Sequence, residues 1–330
     1  MIHISILVPL GHTSLVNIEG SYQIFSDLNN FLAEKGRTPL FEVQLVGLQP
    51  EISQRNHLFS ISPQVQIKDL AKTDLIVIPA LHGDQANAVE LNQAFLPWIK
   101  KQYNNGASIA SLCLGAFFLA ATGLLDGKPC ATHWKFARQF RAMYPQVHLM
   151  DDRVITEEDR IYTSGGAYSY LNLILYLVEK LAGRDIAIAT AKAYAIDIDR
   201  QSQSPFIIFE AQKSHNDASI LKAQEFIESS YQERITVDQL SELTAIGRRT
   251  FERRFKKSTG NTVVEYIQRI KIEAAKRDFE TSSKNVNEVI YDIGYADTKT
   301  FRTIFKKVTG LTPLEYRNKY NRQVLVEEED

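Results

Sequence analysis

The sequence predicts two architectures in one chain. A mostly parallel α/β layer comes first, and an all-α module with two helix-turn-helix units follows. Three observations carry this. Strand-like apolar runs alternate with helix-length amphipathic segments through the first two hundred residues. Residues 250–266, TFERRFKKSTGNTVVEY, recur as residues 300–316, TFRTIFKKVTGLTPLEY, with ten of the seventeen positions identical. The length, 330 residues, suits two domains.

The front region reads in order. Residues 2–10 form a buried strand, followed by a helix from about 18 to 34. Residues 40–48 and 74–81 are strands, the latter apolar throughout its LIVIPAL core. Residues 84–104 are helical, 107–112 another strand, and 116–121 the start of another helix. Residues 147–150 and 161–163 are shorter strands, and a helix covers 168–181. Such alternation calls for a sheet covered on both faces.

The rear region is built twice. Val237, Leu240 and Leu243 space a short helix, with Thr236 as its N-cap and residues 244–247 as the turn after it. In the next helix Phe251 and Phe255 stand at i and i+4 and face inward. Arg248, Arg249, Arg253, Arg254, Lys256 and Lys257 surround them, and Gly260 suits a left-handed cap. Residues 262–280 form a helix that joins the copies. Val286, Val289, Ile290 and Ile293 then repeat the short helix, ended by Gly294. Asp297 caps a helix with Phe301 and Phe305 inside and Lys299, Arg302 and Lys306 outside, closed by Gly310. A helix with one aromatic and one cationic seam can pack on its own domain and on phosphates together, so double-stranded DNA is the expected partner. Arg249, Arg253, Thr298, Lys299 and Arg302 are the expected groove contacts. Lys256, Lys257, Lys306 and Lys307 are expected on phosphates, with Arg248 beside them at the helix start.

Charge agrees with this division. The net charge is −1, yet residues 216–326 hold 20 Lys and Arg against 15 Asp and Glu. The last four residues are acidic and read as a solvated end. Two cysteines give no disulfide framework. No leader precedes the first strand and no run approaches a membrane span, so a reducing cytoplasm is the expected setting. No His/Cys/Asp spacing suggests a metal, and His3, His12, His57, His82, His148 and His215 show no clustering. No cofactor is expected.

Residues 216–322 resemble the AraC/XylS family of bacterial transcription regulators. The resemblance rests on Arg249-Thr-Phe-Glu-Arg-Arg-Phe-Lys256, Ala274-Ala275, Ile293-Gly-Tyr-Ala-Asp297, Phe301, Phe305-Lys306, Gly310, Thr312-Pro313 and Tyr316-Arg317. It implies two helix-turn-helix units in successive major grooves. Gly247 departs from the family's usual capping Ser, and Lys299 replaces a small polar residue.

The other chemical feature is Ser111-Leu-Cys113-Leu-Gly115-Ala116, where a buried strand passes into a helix. That is the layout of a nucleophile elbow. A helix start is expected to lower the thiol pKa and supply N–H donors. Cys130 reads as structural. Residues 113–134 and Thr163-Ser-Gly165-Gly166 resemble the PfpI-like branch of the class I glutamine-amidotransferase-like superfamily, over roughly residues 3–195. Arg200-Gln-Ser-Gln-Ser-Pro205-Phe206 resembles the joining segment of its members fused to an AraC-type end. The resemblance implies a flavodoxin-like sandwich, usually dimeric, with a pocket around the elbow cysteine. Asn17, Cys113, Leu114, His133, Gly165 and Gly166 are the candidate pocket residues. Catalysis in that superfamily uses a His beside the Cys or an acid after the first strand. Leu114, Asn17 and Asn172 stand in those or related places, so the pocket is expected to bind without turnover. The boundaries expected are 1–195 for a sensor and homodimerisation domain, 196–215 for a linker, 216–322 for the DNA-binding domain and 323–330 for the tail. A ligand-responsive regulator is the leading reading. A cysteine-dependent hydratase or amidase fused to a DNA-binding domain is the alternative.

Overall fold

Alternation sets the front unit. Ile4, Ile6 and Val8 of strand β1 (Ile2–Val8) enter one apolar core, and Leu7 enters another on the opposite face. The computed structural model describes residues 1–321 apart from 199 and 214, and the acidic tail lies outside the described residues. The chain divides into Met1–Gln203 and a second unit that begins at Ser204.

In chain order the front unit runs β1, α1 (Leu15–Glu34), β2 (Phe41–Gly47), β3 (Ile52–Gln54), β4 (Phe59–Ile61), β5 (Val65–Gln66) and β6 (Leu75–Ile78). It continues with α2 (Gln85–Leu91), α3 (Phe95–Asn104), β7 (Ser108–Leu112), α4 (Gly115–Ala120), β8 (Pro129–Cys130) and α5 (Ala137–Met143). It closes with β9 (His148–Leu149), β10 (Ile155–Glu158), β11 (Ile161–Ser164), α6 (Tyr170–Ala182) and α7 (Arg184–Ala193). Among the described residues a seven-stranded sheet has the order β10-β11-β7-β6-β1-β2-β5, parallel except for β10. This is a flavodoxin-like α/β sandwich. Helices α1, α6 and α7 cover one face, and α2 to α5 the other.

The single helix expected over 84–104 is two. Pro97 lies in the first turn of α3, where its missing N–H costs nothing. Asn92 at the break is buried, its Nδ2 donating to Leu10 O (3.0 Å) and Ala88 O (2.9 Å). The short pieces β3, β4, β5, β8 and β10, and helices α5 and α7, were not expected from the sequence. Their runs are too brief or too mixed to show a period.

The second unit holds α8 (Ala218–Ser229), α9 (Val237–Leu243), α10 (Arg248–Thr259), α11 (Val263–Thr281), α12 (Val286–Asp292), α13 (Thr298–Thr309) and α14 (Pro313–Tyr320). It has two apolar cores. Phe251, Phe255, Val263 and Tyr266 lie in the first, and Phe279, Phe301, Phe305 and Tyr316 in the second. Helix α11 therefore serves both, its first turns in one core and its last in the other. The repeat is also a repeat of polar contacts. Tyr266 donates to Glu228 (2.9 Å) and Tyr316 to Glu280 (2.6 Å). Thr259 and Thr309 close their helices alike on the carbonyls of Phe255 and Phe305, each at 2.8 Å. Gly260 and Gly310 are left-handed, and Thr262 and Thr312 form capping boxes with Glu265 and Glu315.

The turns differ. Gly294 takes φ +77°, and a Cβ there would lie 1.7 Å from Gln232 O, so only glycine fits. The first copy has Ala245 at φ +51° in the corresponding place. Buried Lys271 donates to Ile293 O (3.0 Å) and Gly294 O (3.3 Å), placing a cation at the carbonyl end of α12.

Candidate nucleic-acid interface and ligand pocket

Residues 251–260 and 301–310 have the same sequence of buried and exposed positions. In each helix two phenylalanines and a threonine are buried, and the residues between them are exposed, except Arg254, Ser258, Ile304 and Val308, which are half-buried. Arg248, Arg249, Arg253, Lys256 and Lys257 are exposed on α10, and Lys299, Arg302, Lys306 and Lys307 on α13. Thr298, the first residue of α13, is half-buried. Among the described residues Arg249, Arg253, Lys256, Lys257, Lys299, Lys306 and Lys307 are in no salt bridge, so their charge is available. Arg248 differs: Asp238 accepts from its guanidinium with both oxygens (3.0 and 3.1 Å). Arg302 donates to Asn287 Oδ1 (3.2 Å). Arg254, part of the same basic run, turns back to Asp217 (2.6 Å) and braces α10 against the start of α8. Its counterpart in the second copy is Ile304, which packs on the second core.

Helix starts follow the sequence. Asp297 accepts from Lys299 N (2.9 Å) and caps α13, whereas Gly247 offers α10 no side-chain cap. Gly247 has an ordinary φ of −57° and open space where a Cβ would go. Gly247→Ser should therefore stabilise the unit by about 0.5–1 kcal/mol, through the added cap and a stiffer unfolded chain. Chemical denaturation at constant m-value checks this; a loss of stability would contradict the cap geometry.

In the front unit the sheet order reverses between β1 and β6, the place where a ligand crevice opens in such sheets. Here that seam is closed by the chain itself. Ser14 N–H donates to Ala80 O (2.9 Å), His82 N–H to His12 O (2.7 Å), and Asn17 Oδ1 accepts from Ala80 N–H (3.1 Å). Asn17 is buried and holds the start of α1 to the end of β6.

Cys113 follows β7 at φ +53°, a strained conformation for a side-chain-bearing residue. Its N–H donates to Ser164 O (3.0 Å), and its carbonyl accepts from Thr132 Oγ1 (3.0 Å). A Cβ on Gly115 would lie 2.7 Å from Ile78 O, so glycine lets the elbow pass over the end of β6. The elbow geometry is therefore present, but the expected thiol activation is not. Cys113 is 3 % exposed, and burial pushes its thiol up to about 12, outweighing the Leu114 N–H beside it. Helix α4 has only six residues and offers little dipole. Burial likewise raises the Cys130 thiol to about 12.

Leu114 is buried. His133 is half-buried between Trp134 and Phe136, with its Nδ1 accepting from Lys135 N–H (3.2 Å). Its pKa is lowered by burial, then by Lys135 and His82. His82 is lowered by burial, then by Arg55 and His12. His82 thus feels the charge of His12, and His133 that of His82. Placing His12 after β1 and His82 after β6, the strands flanking the reversal, would have signalled it. Among the described residues no group of three or more His, Cys, Asp or Glu could hold a metal. Gly165 lies against Gln203: a Cβ there would lie 1.9 Å from Gln203 Nε2. Gly166 has φ +74° and adjoins the Ser169 hydroxyl. Gln203, quoted only as part of the joining segment, was not expected at Gly165, because glutamine carries no periodicity that would place it there.

Two thiols with folded pKa values above their unfolded ones keep their protons in the native state. Their contribution to stability is complete below about pH 9 and lost as pH rises toward 12. Alkylation of the folded protein by iodoacetamide at neutral pH should accordingly be about a thousandfold slower than that of a free thiol. Rapid modification of Cys113 with the fold intact would refute its buried, protonated state.

A model of the DJ-1/PfpI family matches residues 30–180, and a helix-turn-helix domain model matches residues 240–319. The HTH-type transcriptional regulator GbdR of Pseudomonas aeruginosa is 22 % identical over 258 residues, 78 % of this chain and 69 % of its own length. The HTH-type transcriptional regulator GlxA of Rhizobium meliloti is 23 % identical over 65 % of this chain and 66 % of its own. A crystal structure from Vibrio parahaemolyticus is similar in fold, with TM-score 0.52 and 23 % identity over 58 % of this chain and 98 % of that one.

Proposed function

From a chain that joins a DJ-1/PfpI-family domain to an AraC-type helix-turn-helix domain, we infer a DNA-binding transcriptional regulator that answers to a small molecule. The pattern shared by α10 and α13 carries the DNA part of this reading. Residues identical in the two helices are core, such as Phe251 and Phe301, or exposed: the lysines Lys256-Lys257 and Lys306-Lys307, and one threonine in each, Thr250 and Thr300. Three exposed places between them differ: Arg249, Glu252 and Arg253 in one helix, Lys299, Arg302 and Thr303 in the other. Equal lysines suit phosphates, which are the same everywhere on DNA. Unequal readers suit two different half-sites. Thr298 and Arg248 flank these readers at the helix starts.

The effector is assigned to the Cys113 side of the front unit, with Leu114, His133, Gly165 and Gly166 around it and Asn17 fastening the neighbouring seam. A homodimer formed through this unit and action in the cytoplasm belong to the same reading. Turnover does not. The thiol is protonated, Leu114 stands beside it, and Asn17 cannot exchange protons near neutral pH. The strained elbow at Cys113 is the one observation that favours a hydratase or amidase. Screening the full chain and Cys113→Ala with amides, isocyanides and aldehydes separates the two. Multiple turnovers that vanish in the variant establish the enzyme. Ligand-dependent DNA binding that shifts in Cys113→Ala or His133→Ala, with no product, supports the regulator.

A further inference from the structure

Three backbone carbonyls converge on one nitrogen near the end of the front unit. Gln203 Nε2 donates to Arg153 O (2.7 Å), Thr132 O (3.0 Å) and Asp151 O (3.2 Å). Gln203 is 2 % exposed and is the last residue of that unit. Thr132 is the residue that also binds the Cys113 carbonyl, and His133 follows it. Gly165 has no side chain where Nε2 comes to rest. The orientation of the carboxamide is settled by its surroundings, because only the NH2 end can face three acceptors.

The other end of the same group is unsatisfied. Gln203 Oε1 is buried and has no hydrogen-bond partner among the described residues. A carboxamide that uses its donors fully and its acceptor not at all fits this cradle only in part. Three acceptors without a facing donor make a site for N–H groups in general, and carbonyl oxygens repel a carboxylate. We propose that the carbonyls of Thr132, Asp151 and Arg153 form a binding site for the N–H donor group of a small molecule, a primary amide, primary ammonium or guanidinium, for which the Gln203 carboxamide is the chain's own stand-in. The proposal rests on the reading of the Cys113 side as the effector site and names the effector's class.

The site has a built-in consequence. The segment that brings Gln203 in is held by Gln203 N–H on Asp152 O (2.7 Å), Val154 N–H on Gln201 O (3.1 Å) and Ser202 Oγ on Asp152 O (3.0 Å). Those bonds lie between the loop at 151–154 and the last three residues before the second unit. A ligand that takes the carbonyls expels the Gln203 side chain and loosens this pairing, so binding favours the released segment by its full preference for the emptied cradle.

The test uses the full chain and limited proteolysis between residues 200 and 210, which follows the population of the released segment. Gln203→Ala should be cleaved about tenfold faster than wild type. Millimolar acetamide, the fragment deleted, should restore slow cleavage, and acetate should not. Gln203→Glu should also be cleaved fast, since three carbonyl oxygens repel its carboxylate from the cradle. In wild type, guanidinium chloride at millimolar concentration should speed cleavage. Tetramethylammonium chloride, equally charged but without N–H, should not. Equal protection by acetate and acetamide, equal action of the two cations, or wild-type cleavage of a folded Gln203→Ala each overturns the site. The wild-type arm decides the matter if neither variant folds. If this pattern holds while none of the N–H-bearing probes alters DNA binding, the donor site stands and the effector reading falls. If carboxylates alone alter DNA binding, the donor site falls and the effector reading stands.

Discussion

Phe305→Ala should destabilise the second helix-turn-helix by about 3–5 kcal/mol and remove specific DNA binding by unfolding α13. Phe305 is fully buried and meets Phe279 and Tyr316 edge-on at ring distances of 5.5 Å each, with Phe301 at 5.4 Å. Truncation removes the ring that three others pack against, and α11 is too rigid to collapse into the space. Because α11 also serves the first core, the loss should spread, and one broad thermal transition should move down. Phe255→Ala should do the same from the other side, since its ring packs on Phe251 at 5.7 Å and on Tyr266 at 5.3 Å. An unchanged melting profile for either variant would sink the assignment of the inward face.

Replacing Lys256, Lys257, Lys306 and Lys307 together by Gln should flatten the dependence of log K on log salt by about 3 to 4, and weaken every DNA sequence alike. All four are exposed and in no salt bridge among the described residues, so removing them leaves no buried partner uncompensated. Arg302→Ala and Arg249→Ala should behave differently. Each should cost about 1–3 kcal/mol on the operator and relax preference at one base pair, with a smaller change in salt dependence. Arg248→Ala should cost less than either, since Asp238 already holds its guanidinium. Operator binding unchanged in both Arg249→Ala and Arg302→Ala would remove α10 and α13 from the groove.

The rear module was legible because its information is local and stated twice. Phenylalanines at i and i+4, glycines at helix ends, and capping threonines and aspartates act within one or two turns of chain. A second copy with the same spacing excludes coincidence. Thr236, Asp297, Gly260, Gly294 and Gly310 accordingly take the conformations their types demand. Helix α8 was missed, although Ile220, Ala223 and Ile227 carry the spacing of one helical face.

The front unit divides along the same physical line. Apolar runs and their alternation determined a covered parallel sheet, and strand-to-helix placement with a nearby glycine determined the elbow at Cys113. The tertiary structure alone decided what that cysteine is chemically. A thiol pKa depends on the solvent removed by distant chain, and here burial overrides the helix start that sequence placed beside it. It also decided that Asn17 binds the end of β6, that His12 acts on His82 and His82 on His133, and that Gln203 fills the space left by Gly165. Periodicity reports which way a side chain faces relative to its neighbours in sequence. Which groups then meet, how dry they are and which of them lack a partner depends on residues fifty to seventy positions away, and no local pattern carries that information.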